Sequence, residues 1–563
     1  MNIEILPTKT EYKTMKIDGY FIHSSYNPIR EAEKFAKSNY VAGKTHILYG
    51  YGLGYFALEL LKHFQHKEKL IIIEPFLAIE EKRSDILYID KNDIENVQLL
   101  LAKYIDITEP AVLLKSPNYD KIDQDKYLDI AKFVKNQVIS NKVARNTINH
   151  FANQWFENIV HNLYFATKDY SIKELKDKYD CPIVIASGGP SLTKQLKYIK
   201  QYRDKMLLIA AGSTINSLLA ANIVPDLVVS IDGGQPNLNH FKDLYTDEIM
   251  FMYGLTSKYE IREHFKAPSF FFGSEGEGVN SELAQVIKDP LVIVSGGSSV
   301  AVFCLTIASY ITTGKIALIG QDLAYTNNQS HASNNKGAKI LSKEEIEKRK
   351  IEIEGYYGEK VYSDAPFITM KNDFELTMSI LLKDREVFNC TEGGAKIEGM
   401  HQLSFKEFCE TNCCHKVPLI DLPFKKNTQS IAYLDYWENQ LPLFDQTIKL
   451  LEDSLLVLKR DQYKQFFESK TIKQLDKNEE LIEENISNLN LSRIMEKANL
   501  AVLTEFPAAA DETKEQEFKR VYNQNEFLYT EFIDTLKVSK DIIQKFLKQY
   551  QTKDGILNGK DSI

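Results

Sequence analysis

Short apolar runs closed by glycine or polar turns alternate with segments of helical period over most of this chain, and the last quarter keeps only the helical period. Near the start the pattern predicts a helix at 29–38, a strand at 45–49, a helix at 56–64 and a strand at 70–73, which together make a βαβ unit. The first turn of that unit, Gly50-Tyr51-Gly52-Leu53-Gly54, is rich in glycine, and Glu74 closes its second strand. Dinucleotide and S-adenosylmethionine folds place a ribose-gripping carboxylate at that point. The Gly-x-Gly-x-Gly spacing departs from the stricter Gly-x-Gly-x-x-Gly fingerprint. A purely structural Rossmann-like unit is therefore the favoured reading, with a methyltransferase or another small-ligand site as alternatives.

From 124 to 175 apolar residues such as Ile130, Phe133, Val134 and Val138 recur at helical spacing, which reads as a helical connector. Strands are then expected at 182–187, 206–211, 227–231, 249–253, 269–272, 291–294 and 316–319, with helices between most of them. Such alternation implies a mainly parallel sheet covered on both faces. A polar stretch at 324–340 reads as a surface loop or lid, and 341–355 as a charged helix. One more strand, around Phe388, ends in Glu392-Gly393-Gly394. Beyond 417 no glycine occurs before Gly555, and Phe444, Ile448, Leu451, Leu455 and Leu458 form one apolar helix face. Further helices are expected at 479–489, 492–504 and 516–550. The fold class is thus multidomain α/β: a Rossmann-like domain at 1–123, a connector at 124–178, a central doubly wound α/β domain at 179–416 and an all-α bundle at 417–563.

At 563 residues the chain is too long for one core, which fits this division. A hydrophobic content of 44% and a charged content of 26% mark it as folded. The net charge of −9 argues against a general binder of nucleic acid or anionic membrane. Residues 1–7 lack a charged-then-apolar signal pattern, no apolar run is of membrane-spanning length, and six cysteines in so long a chain make no disulfide framework. The expectation is a cytoplasmic protein; its oligomeric state is left open.

The chemistry concentrates at the predicted strand ends of the central domain. The strand at 182–187 runs into Gly188-Gly189-Pro190-Ser191 and then a helix, with Ser191 where a cap belongs. Glycines let an anion approach the backbone, and a helix start favours negative charge, so a nucleotide or sugar phosphate is the natural ligand. Comparable turns hold Ser213, Thr214 and Asn216; Asp232; Gly297, Ser298 and Ser299; and Gln321 with Asp322. Ligands of open parallel sheets bind at those carboxyl ends. His331, in the polar loop, is the candidate general base. Asp322 and Asp232 are carboxylates able to take a hydroxyl, a metal or a backbone cap, Glu392 is a weaker candidate, and Tyr325 is a possible donor to a leaving phosphate. Cys409-x-x-x-Cys413-Cys414-His415 lacks zinc-site spacing, so no metal ligand set is assigned. A Gly-x-Ser-x-Gly elbow and a Walker lysine are absent, which excludes serine hydrolases and ordinary P-loop enzymes.

As a set, Ser187-Gly188-Gly189-Pro190-Ser191-Leu192, Ser230-Ile231-Asp232, Gly296-Gly297-Ser298-Ser299, Gly320-Gln321-Asp322-Leu323-Ala324-Tyr325, Ser330-His331-Ala332 and Asn389-Cys390-Thr391-Glu392-Gly393-Gly394 resemble the motility accessory factor family, as does His23-Ser24-Ser25-Tyr26-Asn27-Pro28 near the start. The resemblance covers nearly the whole chain. It implies a cytoplasmic flagellin glycosyltransferase needed for flagellum assembly. Such a protein moves a pseudaminic or legionaminic acid type of sugar from its CMP-activated form onto serine or threonine. CMP-nonulosonate would be the donor substrate and flagellin the acceptor; no cofactor is required, and a divalent metal is left open. The central domain is similar to bacterial sialyltransferases, where a Gly-x-Gly-Pro-Ser-Leu turn holds the nucleotide. Ser187 departs from that pattern, Tyr325 lies one residue later than its counterpart, and His401 is the alternative to His331 as base. The same domain also resembles archaeal-type hydroxymethylpterin pyrophosphokinases, which implies ATP and magnesium with Asp232 or Asp322 on the metal. A flagellin-binding chaperone without catalysis is the third reading.

Overall fold

The computed structural model describes all residues except 65–67, 106–109, 275–278, 280, 290, 327–328, 330, 333–341, 343, 346–350, 419–428, 508–511 and 559–563. The chain forms two compact units, each drawn from separated stretches. One comprises 1–150, 450–480 and 495–533, the other 151–449, 481–494 and 534–563.

The first unit opens with an antiparallel sheet of β1 (Ile3–Pro7), β2 (Lys13–Ile17) and β3 (Tyr20–Phe21). A parallel sheet follows, built from β4 (Thr45–Tyr49), β5 (Leu70–Ile73), β6 (Ile86–Ile89) and β7 (Ala111–Lys115) in the order β6-β5-β4-β7. Alternate residues of β4 pack on opposite faces. Leu48 meets Ala32, Ala36 and Phe56 on one side, while Ile47 and Tyr49 join Leu101, Tyr119 and Ile130 on the other. The helix Pro28–Asn39 begins where the sequence predicts, with Asn27 accepting from the Arg30 N–H and proline in the first turn.

The second unit carries β8 (Tyr170–Ser171), β9 (Ile183–Ala186), β10 (Leu207–Ala211), β11 (Leu227–Ser230), β12 (Met250–Gly254), β13 (Ser269–Phe272), β14 (Ile316–Ile319), β15 (Ile351–Glu354), β16 (Lys360–Ser363), β17 (Val387–Asn389) and β18 (His401–Gln402). All but β15 and β16 form a nine-stranded sheet, β18-β17-β14-β9-β10-β11-β12-β13-β8, in which every pairing is parallel. From β9 to β13 the chain steps across the sheet one way; β14, β17 and β18 step the other way. Strand order therefore reverses between β9 and β14, and a crevice at their carboxyl ends is the expected ligand position. The helix Val300–Ile311, buried on nearly every side, covers one face and packs with Ile183, Ile185, Leu207, Ile209 and Leu318.

The mixed α/β architecture with parallel sheets and a helical C-terminal region agrees with the sequence reading. Beyond 417 the described helices are Ser430–Lys459, Ser469–Asn488, Ser492–Glu505 and Lys514–Asn558. Two elements differ. The strand expected at 291–294 is a single bridge, Gly273 to Ile293, because Gly296 and Gly297 follow at once and leave no length to pair. The helix expected at 341–355 falls partly outside the described residues, and its last part is β15, whose alternating Ile351-Glu352-Ile353-Glu354 suits a strand. Most of the expected lid at 324–340 also lies outside the described residues. Among the described residues no helix is long and apolar enough to cross a membrane.

Candidate functional site

All strands of the large sheet run the same way, so the turns after β9, β10, β11, β14 and β17 lie on one edge. This brings together Gly188–Ser191, Ser213–Asn216, Asp232, Gly320–Asp322 and Glu392, as the sequence predicts. The start of the helix Val300–Ile311 belongs there too, since a Cβ on Gly212 would touch Val300.

At the crevice the chain uses its own carboxylate on the glycine turn. Asp322 accepts from the Ser191 N–H at 3.1 Å and the Ser191 hydroxyl at 2.7 Å, and from the Thr326 hydroxyl at 2.7 Å. Burial pushes its pKa up, and these hydrogen bonds with the charge of Lys194 oppose that shift. Ser191 therefore is not the expected cap: its backbone is already helical and its side chain donates to Asp322. Gly189 has a packing reason to be glycine. A Cβ there would overlap the Asp322 carboxylate and lie 2.5 Å from the Gly320 carbonyl. The Ala395 N–H to the Asp322 carbonyl and the Ser363 hydroxyl to the Leu323 carbonyl hold the next bend, where Leu323 sits at φ +50. A bulky residue in that region is strained, so neighbouring contacts must fix it.

A second turn repeats the device. Asp373 accepts from the Ser298 N–H at 2.7 Å and the Ser298 hydroxyl at 2.6 Å, and it lies where a Cβ on Gly297 would go. Ser299 does cap its helix, accepting from the Ala301 N–H. Glu392, at φ +56, directs its carboxylate to the Phe405 N–H at 3.0 Å, at the start of the helix Phe405–Asn412. Tyr325 points its hydroxyl at Asp364, 2.5 Å away, and Asp364 caps the helix Ala365–Ile380. His401 is exposed on the edge strand β18, against Phe388.

Two further polar groups at these strand ends lack such engagements. The Ser187 hydroxyl and the Gln321 side-chain oxygen are buried, at the ends of the two strands that flank the reversal, and neither has a hydrogen-bond partner among the described residues. Buried polar atoms in that state call for a partner. His331 is half-buried, and the Ala332 N–H donates to the Gly188 carbonyl at 2.8 Å, which ties it to the turn after β9. Burial and the nearby charge of His240 lower its pKa. Asn216 donates to the Ser213 carbonyl, and Thr214 is buried. Asp232 is exposed, and the protein packed around it pushes its pKa up.

Sequence reasoning missed the clamp beneath Asp232. Asn158 donates to the Gly233 and Thr256 carbonyls at 3.2 and 3.0 Å, and Asn162 to the Leu255 and Ser257 carbonyls at 2.8 and 2.7 Å. Both lie in a stretch whose only visible signal was its helical period, although their spacing of four does put them on one face.

The Rossmann-like turn of the first unit is filled by the same means. Glu74 accepts from the N–H groups of Tyr51, Gly52, Phe76 and Leu77 and from the Tyr119 hydroxyl at 2.5 Å. His23 accepts from the Leu53 N–H at 2.9 Å, and the Tyr119 ring occupies the space over Gly50. The donors that would meet a cofactor's phosphates or ribose are engaged within the chain.

The second unit is thus a doubly wound α/β domain whose strand order reverses between β9 and β14. Residues 157–328 match the family model described as 6-hydroxymethylpterin diphosphokinase MptE-like. The chain shares its fold with the MAf glycosyltransferase from Magnetospirillum magneticum AMB-1 at a TM-score of 0.52 and 14% identity, over 97% of this chain and 90% of that one. The resemblance to the motility accessory factor family, with an MptE-like central domain, is borne out by these two findings. No curated protein matches the chain in sequence.

Proposed function

We propose that the chain is a cytoplasmic protein glycosyltransferase that moves a nonulosonic acid from a CMP-activated donor onto serine or threonine hydroxyls of flagellin. The observation that carries this reading is the strand-order reversal between β9 and β14, with the buried Ser187 hydroxyl and Gln321 oxygen, unpartnered among the described residues, at the two strand ends, within a chain folded over nearly its full length like a MAf glycosyltransferase. The nucleotide phosphate lies at this reversal, beside His331 and across the mouth of the Gly188–Ser191 turn rather than on the Ser191 N–H that Asp322 holds. Ser213, Thr214 and Asn216 extend the binding edge along β10. A CMP leaving group needs hydrogen-bond donors at its single phosphate. The test is the intact mass of flagellin co-expressed with the protein and a CMP-nonulosonate pathway. A nonulosonate-sized increment that requires the protein is expected; its absence refutes the reading.

The family model at 157–328 favours a second reading, transfer of diphosphate from ATP to a hydroxymethylpterin. Asp232 would then hold a magnesium ion together with the triphosphate, since Asp322 is engaged. Release of AMP on incubation with ATP, magnesium and the pterin distinguishes it.

A further inference from the structure

Five carboxylates lie at or beside the turns singled out above: Asp232, Asp322, Asp364, Asp373 and Glu392. Four of them accept hydrogen bonds from backbone N–H groups: Asp322 from Ser191, Asp373 from Ser298, Asp364 from Phe367 and Glu392 from Phe405. The Asp232 carboxylate has no hydrogen-bond or ion-pair partner among the described residues. Its backbone, in contrast, is held firmly. The Asn237 side chain and the Lys258 N–H both donate to its carbonyl, at 2.7 and 3.1 Å. The adjoining Gly233 is pinned by Asn158. A fixed backbone bearing a free, exposed carboxylate at the carboxyl edge of the sheet is the arrangement of a group that meets a ligand rather than one that holds the fold.

We infer that Asp232 is the general base that takes the proton from the acceptor hydroxyl. The inference rests on the glycosyl-transfer reading. Displacement at the anomeric carbon is in line, so the attacking oxygen enters opposite the departing phosphate, and its base must stand on that far side. His331 adjoins Ala332, whose N–H is bonded to Gly188 after β9, on the phosphate side. Asp232 follows β11, two strands further along the sheet, or about 10 Å at the usual strand spacing. That separation leaves room for phosphate, anomeric carbon and hydroxyl in a row. The serine or threonine oxygen bonds to the anomeric carbon, the bond from that carbon to the phosphate oxygen breaks with its electrons leaving on CMP, and the hydroxyl proton passes to Asp232. Crowding raises the carboxyl pKa, which makes it a stronger proton acceptor. The titratable groups on the packed elements include Lys258, whose ammonium is paired with Glu260 at 2.9 Å, and His240 on the helix Gln235–Phe241.

The experiment compares the full-length protein with Asp232→Asn, Asp232→Ser and His331→Ala in flagellin glycosylation, with CMP affinity by calorimetry and melting temperature measured on each. Loss of a general base lowers transfer by about 10²–10⁴-fold. Both Asp232 variants are expected to show this loss with CMP affinity and melting temperature unchanged. The turnover number should fall while the donor KM stays constant. Transfer within a few-fold of wild type in either folded Asp232 variant overturns the inference while the wild-type mass increment still upholds glycosyl transfer. A wild-type protein that adds no mass overturns both.

Discussion

Asp322 holds Ser191 twice, through its backbone N–H at 3.1 Å and its hydroxyl at 2.7 Å. A carboxylate thus stands where a glycine turn and helix start invite an anion, and the contact joins the ends of β9 and β14. Removing it leaves three donors without that acceptor, the two on Ser191 buried and the Thr326 hydroxyl part-buried. Asp322→Ala is expected to cost about 2–5 kcal/mol, and Asp322→Asn, which keeps one acceptor oxygen, distinctly less. Urea unfolding measures both; an Asp322→Ala protein as stable as wild type removes the anchor role.

Gly189→Ala introduces a methyl into the Asp322 carboxylate and against the Gly320 carbonyl. Overpacking of this kind costs about 1–3 kcal/mol. Gly234→Ala is the control. Gly234 has φ −86 and its Cβ would meet Pro236 alone, at 3.3 Å, so a loss smaller than at Gly189 is expected. In an Asp322→Ala background the penalty at Gly189 should shrink, because one obstacle is gone; strict additivity in this double-mutant cycle would separate the two residues.

His23 carries a pH signature for the first unit. Burial lowers its pKa from the ordinary 6.5 to about 4, and its neutral ring accepts from Leu53. Between those values the unfolded chain binds the proton and the folded one does not. Stability from this group is complete above pH 6.5 and is lost as pH falls toward 4, by about 3 kcal/mol. His23→Gln should flatten that part of the profile when unfolding free energies are compared with wild type across the window. Parallel profiles would show that His23 does not titrate there.

Tyr325→Phe breaks the hydrogen bond to Asp364, while Asp364 keeps the Phe367 N–H at 3.1 Å. The expected outcome is a loss of about 1–2 kcal/mol in stability with glycosylation unchanged. Loss of transfer at unchanged stability would return Tyr325 to the leaving phosphate.

Much of this was legible from residues 182 to 319. Apolar runs as short as Ile183–Ala186 and Ile316–Ile319, each closed by glycine, have few ways to fold other than as buried parallel strands, so the sheet and its polar edge followed. What the glycines are for did not follow. A turn that cradles a phosphate and one that cradles the chain's own carboxylate carry the same residues, and the partner of Gly189, Asp322, lies more than a hundred positions away. The contributions of Asn158 and Asn162 were hidden for the same reason: an amide on a helix face reads as solvent-exposed until the loops it holds are known. The stretch 341–355 reads as helix from charge pattern alone, yet β15 at its end shows how weakly such patterns choose between periods when apolar residues are few.

The filled turn at Gly50–Gly54 has a thermodynamic corollary. A ligand raises the stability of a fold only by binding the folded state better than the unfolded one, and the gain grows with its concentration over Kd. Glu74, Tyr119 and His23 are covalently part of the chain, so the contacts they supply to this turn are present at full occupancy and do not vary with any solute. The melting of the first unit is then expected not to respond to nucleotide through this turn. On the proposed function, a nucleotide-dependent rise in melting temperature is expected from the nine-stranded sheet.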